Sequence, residues 1–130
     1  MNNYKLLPGL IHRMRINANG FVRRFFWLLL LVAIAGLADM LTTIHVMLRD
    51  GARAEAHPAI RFVATLFGPV AGPILGKTCQ LACVVLVAIY LRPWAVYLLV
   101  LVAFLYGWAA WYNLWGYRIY TPALLKYLPL

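Results

Sequence analysis

Residues 25–48 read FFWLLLLVAIAGLADMLTTIHVML, and this run decides the fold. Asp39 is its only charged side chain. Coiled as an α-helix the run rises about 36 Å, enough to cross a hydrocarbon layer of about 30 Å with some tilt. Gly36-Leu37-Ala38 before Asp39 has the small-residue look of a signal-peptide cleavage site, but apolar residues resume directly after Asp39, as in a span and not in a cleaved leader.

Two further runs of the same kind follow. The second span is expected over 69–91 and the third over 94–115, separated by the Arg92-Pro93 turn. The whole chain is 65% hydrophobic, with a mean hydropathy of +0.82. Soluble domains are roughly half apolar, so the excess gathered into three runs predicts an all-α integral membrane protein. No soluble domain is expected.

The flanks fill out the architecture. Residues 1–24 are basic, and Leu7, Leu10, Ile11 and Met14 recur at helical spacing. They predict an amphipathic segment lying at the membrane interface, with Pro8 and Gly9 making any helix there start late or stay short. Between the first two spans, residues 49–58 form a polar loop, with Gly51 placed to end one helix and Pro58 to open the next. Residues 59–67 are apolar but too short to cross, and predict a short interfacial helix.

Charge is one-sided: twelve Lys and Arg against three acidic residues, Asp39, Asp50 and Glu55. The basic residues sit at the ends of apolar runs, where they pair with anionic headgroups, so membrane lipid and not nucleic acid is the expected partner. Lys5, Arg13, Arg15, Arg23, Arg24 and Arg92 fall on one side; Arg49, Arg53, Arg61, Arg118 and Lys126 fall on the other. The dense cluster before the first span predicts a cytoplasmic N-terminus in a bacterial inner membrane.

Polar groups inside apolar runs carry the most information. A charge at mid-helix costs about 2.5–3.5 kcal/mol on insertion scales, so Asp39 needs a partner. Thr42 and Thr43 lie on nearly its face and either hold the carboxylate or bond back to their own helix. Lys77, early in the antiparallel second span, is the natural counter-ion. Gln80 follows it at i+3, and Glu55 in the loop is placed to supply a second carboxylate. The structural reading of this cluster is an ion pair that fixes helix packing. The functional reading is a proton, metal or ligand site.

Metal and cofactor signals are incomplete. His45, His57, Cys79 and Cys83 are ligand types for zinc or copper, and a transmembrane histidine also ligates haem-type pigments, but no His-His or Glu-x-x-His spacing occurs and no cofactor is identified. Cys79 and Cys83 share a helix face at i, i+4 and read as two small buried residues; that geometry holds their Cβ atoms too far apart for a disulfide. No nucleophile elbow, phosphate loop or zinc-protease motif is present.

Other positions point to packing. Gly68, Gly72 and Gly76 repeat every fourth residue, and Ala103 and Gly107 form a second small pair; such faces admit a neighbouring helix, while Gly68 and Gly72 beside prolines also fit a turn. Trp108, Trp111 and Trp115 fall on one face and read as an interfacial aromatic belt or a partner-binding stripe.

The stretch from Leu37 to Lys77 resembles a widespread family of small prokaryotic membrane proteins of unknown function. The matching residues are Asp39 and Thr42 (Asp-x-x-Thr), Gly51, Glu55 and Pro58 (Glu-x-Asn-Pro), and Lys77; His57 stands where that family has Asn. The resemblance implies that Asp39, Glu55 and Lys77 belong to one shared arrangement, and implies no activity. The expected role is a non-enzymatic accessory or assembly subunit packing against a larger membrane complex. The alternative is an intramembrane metal, proton or small-ligand site built on Asp39, Glu55 and Lys77, in one chain or in a homo-oligomer.

Overall fold

The structure, a computed structural model, describes residues 6–55 and 57–116. Lys5, Arg118 and Lys126 lie outside the described residues. Every regular element among them is helical: α1 (Leu6–Ala18), α2 (Phe21–Asp50), a 3-10 turn (Ala52–Ala54), α3 (Pro58–Tyr90), a second 3-10 turn (Arg92–Trp94), α4 (Ala95–Trp111) and a π turn (Tyr112–Gly116). Three stretches are long and apolar enough to cross a membrane: Phe21–Asp50, Pro58–Tyr90 and Arg92–Trp115. The first begins one turn before the expected Phe25, where the backbone kinks (φ −107°, ψ 19°) and carries the helix on.

Cross-helix contacts set the directions. Gly36 of α2 packs on the Tyr106 ring, and Thr42, further along α2, bonds Asn113, further along the chain. α2 and α4 therefore run parallel. α3 runs against them, since Asp39 meets Lys77 while Asn17, before α2, meets Tyr90. The core is the α2–α4 seam with the end of α3, and contains Phe21, Phe25, Val32, Ala88, Leu99 and Tyr106. Only 22%, 17% and 28% of the three most apolar windows are buried within the chain, so most of the apolar surface faces outward, far beyond what soluble monomers expose.

Residues 58–67 are helical, as expected, but do not stand apart along the surface. A Cβ on Gly72 would fall on the backbone of Ala64, and one on Gly76 would lie 2.6 Å from Ile60 Cδ1. In a continuous helix, residues eight apart are about 12 Å apart. Both pairs are symmetric about Gly68, whose φ of 90° and ψ of 170° break the helix. The chain doubles back at Gly68, and residues 58–67 pack antiparallel on residues 69–90. This is a region of φ/ψ space open essentially to glycine alone. Gly68 is thus the turn and Gly72 the close approach, two roles that the glycine repeat left open.

Met47, Ile60 and Ala64 seal this hairpin against α2. Because Gly68 lies towards the end of the molecule where α2 finishes, the start of the hairpin, Pro58, sits back towards the middle. Residues 51–55 therefore turn inward from the end of α2 towards it. Gly51 (φ 85°) makes that departure and caps α2 through its N–H to Met47 O; Pro58 opens α3 at N1, where its missing N–H costs nothing.

At the opposite end, α1 is tied to the α3–α4 turn. Asn17 Nδ2 donates to Tyr90 O (3.2 Å), Arg92 donates to Asn17 O (3.1 Å) and Asn19 O (3.2 Å), and Arg13 lies over the Tyr90 ring. Leu10, Ile11 and Ile16 stay exposed, leaving an apolar flank on this basic helix.

Candidate functional site

The site forms where α2, α3 and the start of the π turn come level. Lys77 Nζ donates to Asp39 Oδ2. Asp39 is 2% exposed and the lysine side chain 11%, so neither charge is shielded by water. Taking charges out of water is costly unless they are paired and bonded, and this pair meets that condition at the crossing of α2 and α3.

Thr42 answers the choice left open for it: its hydroxyl donates to Asp39 O (3.0 Å), so it bonds back to its own helix and does not hold the carboxylate. Its oxygen also accepts from Asn113 Nδ2 (3.2 Å), which reaches Thr43 at 3.4 Å. Asn113 lies in the π turn Tyr112–Gly116; such bulges re-aim side chains inside helices and recur at functional sites. Sequence reading passed over Asn113 among the aromatic residues of the third run. The available signal was that it is the run's lone amide between Trp94 and Trp115. Asn113→Leu is expected to cost about 0.6–1.7 kcal/mol, the range for side-chain hydrogen bonds between membrane helices, read as a lower melting temperature in detergent; an unchanged melt would remove Asn113 from the site.

The inward loop brings Glu55 and His57 towards Asp39. Glu55 is half-buried, and its Oε1 accepts the His57 N–H (2.9 Å). The carboxylate thus closes a small turn at the start of α3, and His57 supplies its backbone there while its ring stays exposed. A helix N-terminus carries partial positive charge, which suits the approach of two acidic groups.

Gln80, expected to join this network, does not: its Oε1 is buried with no hydrogen-bond partner, and so is the Tyr106 hydroxyl. Tyr106 was not singled out in the sequence. Its ring lies 5.5 Å from Lys77 Nζ and, with Lys77, Gly36 and Leu81, lines a groove of about 310 Å³ between α2, α3 and α4.

The remaining candidates scatter. His45 is exposed on α2. Cys79 and Cys83 are exposed on α3, not buried as expected; they lie about 200° and 240° round the helix from Lys77, which turns inward to Asp39. Among the described residues no three His, Cys, Asp or Glu side chains are grouped so that they could hold a metal ion. Ala103 lies in the core of its own bundle, and Gly72 and Gly76 face Ala64 and Ile60 of the same chain. These three therefore pack within the chain: the hairpin at Gly68 supplies the neighbour of Gly72 and Gly76, and the α2–α4 core that of Ala103. Gly107 meets nothing within 4 Å. Trp108 and Trp115 are exposed, and Trp108 stacks between Phe104 (6.4 Å) and Trp111 (5.2 Å). Trp115 belongs to the π turn and so leaves the regular face of α4.

Compared with family models, with curated proteins and with solved structures, this chain finds no match.

Proposed function

We propose that this chain is an integral membrane protein, N-terminus in the cytoplasm of a bacterial cell, whose working part is an intramembrane proton-binding site on Asp39, Lys77 and Glu55. The observation that supports this is the inward loop: it spends backbone to bring a second carboxylate towards a buried ion pair that already balances itself. A purely structural pair needs no such addition. Ionisable groups within membrane spans mark proton and solute pathways.

In this reading Glu55, half-buried, is the entry group and Asp39 the interior one. Lys77 holds Asp39 ionised until a proton takes the ammonium's place; Lys77, on its long stem, then turns towards Glu55. Thr42 and Asn113 keep that part of α2 and the π turn in register while the charge moves. No enzymatic step is involved.

Infrared difference spectroscopy in lipid nanodiscs tests this. Acidification is expected to raise a protonated-carboxyl band with a component that is absent from Asp39→Asn, with helical content unchanged in circular dichroism. Glu55, Asp50 and the terminal carboxyl also take up protons on acidification, so the difference between the two chains decides: a component missing from folded Asp39→Asn supports the reading, and identical carboxyl bands in both refute it.

A second reading, an assembly subunit of a larger membrane complex, is favoured by one observation: Gly107 opens a gap on the outer face of α4 beside the exposed rings of Phe104 and Trp108. An open mid-helix glycine costs about 1 kcal/mol relative to alanine, and close helix approach is the usual return. Co-purification of a larger assembly in mild detergent, lost in Gly107→Leu, would support it.

A further inference from the structure

We propose that the cleft at the N-terminal end of the bundle is a binding site for one anionic phospholipid. The inference stands apart from the proton site and rests on the membrane reading of the three helices. Asn17, Arg24 and Arg92 form its mouth and Phe25, Leu28 and Val96 its floor, enclosing about 510 Å³. Polar and cationic groups above, apolar groups below, match an amphiphile entering from the bilayer.

The mouth is built in advance. Arg92 is fixed by its two bonds to the carbonyls of Asn17 and Asn19. Those bonds use one terminal nitrogen of a guanidinium that carries five N–H donors in a planar fork, and the fork matches phosphate oxygens. The Arg24 guanidinium lies over the Phe25 ring (5.6 Å), which holds that charge next to the apolar floor. Two arginines from different elements thus flank one opening.

Charge complementarity selects the occupant. The acidic residues of the chain are Asp39, Asp50 and Glu55, and all three belong to the site or to the far end of α2. Asp39, the nearest along α2, is fifteen positions from Arg24, about 22 Å along the axis. Among the described residues no acidic side chain lines the mouth, and Arg13, Arg15 and Arg23 add positive charge to the same end of the bundle. Basic pockets between membrane helices favour anionic headgroups in this way. A zwitterionic lipid brings no net charge to the mouth, and a soluble anion leaves the apolar floor uncovered.

Native mass spectrometry of the full chain in mild detergent, titrated with phosphatidylglycerol or phosphatidylcholine, tests the site. Phosphatidylglycerol is expected to be retained and phosphatidylcholine lost. Arg24→Gln is expected to weaken phosphatidylglycerol binding roughly tenfold, the scale of one charge-assisted contact, and Arg92→Gln at least as much. Arg23→Gln removes the same charge from the same end, outside the cleft, and is expected to leave binding within about twofold, as for a screened surface charge. Because Arg92 also anchors α1, Arg24→Gln decides the matter if Arg92→Gln unfolds. Equal loss in Arg23→Gln and Arg24→Gln, or equal retention of both lipids, overturns the proposal. Asp39→Asn is expected to keep lipid binding, so failure here and failure of the proton site are told apart.

Discussion

Lys77→Met is expected to destabilise the folded chain by about 3–5 kcal/mol, because it leaves Asp39 buried without its counter-charge. Asp39→Leu is expected to cost a similar amount by stranding the ammonium. The double variant Asp39→Leu with Lys77→Met restores most of the loss, since a buried pair is often no more stable than well-packed apolar side chains of similar volume. The reversed pair, Asp39→Lys with Lys77→Asp, should recover expression that each single reversal lowers. Unfolding in mixed micelles, followed by circular dichroism, measures all four. Additive losses in the double variants would show that the two side chains do not act as a pair. The outcome also separates roles: an apolar double variant that is stable but lacks the Asp39 component of the carboxyl band on acidification has lost function and kept fold.

Gly72→Ala is the second large effect. The added methyl would coincide with the Ala64 backbone, and backbone cannot move aside as the end of a side chain can. Overpacking costs about 1–3 kcal/mol, and this site is expected at the upper end, with the hairpin arms forced apart. Gly76→Ala meets only Ile60 Cδ1, which can rotate, so its cost is expected to be smaller. Gly107→Ala faces open space and should stabilise the isolated chain by up to about 1 kcal/mol. Melting temperatures in one detergent rank the three. If Gly72→Ala is as harmless as Gly107→Ala, residues 58–67 do not pack on residues 69–90.

The hairpin matters to the site because it holds the loop in place. Splaying it draws Glu55 and His57 away from Asp39, so Gly72→Ala is also expected to alter the carboxyl band without touching a titrating residue. Spectral change together with a lowered melt identifies the hairpin as what positions Glu55.

Much of this was legible in the chain of residues. The three apolar stretches, the helix stop at Gly51 and the start at Pro58 follow from local properties, since hydropathy and proline geometry act on each segment alone. The Asp39–Lys77 pairing was legible for a related reason: two costly charges in antiparallel neighbours, at matching depth, have few other partners. Asn113 and Tyr106 were not, because nothing in a run of aromatics shows which side chain turns inward. The outward placement of Cys79 and Cys83 was legible but not drawn: once Lys77 turns inward, residues two and six positions later fall on the other side of the helix.

By itself the sequence determined that this protein is helical, that three of its stretches suit a membrane, and that a carboxylate and an ammonium would have to meet inside it. Only the tertiary structure decided that the segment before the second span folds back at Gly68, that Gly72 and Gly76 receive this chain's own residues, and that the loop turns inward to Asp39. The physical reason is that burial preference belongs to one residue at a time, whereas the direction of a chain after a glycine depends on which pairs of distant side chains then fit together.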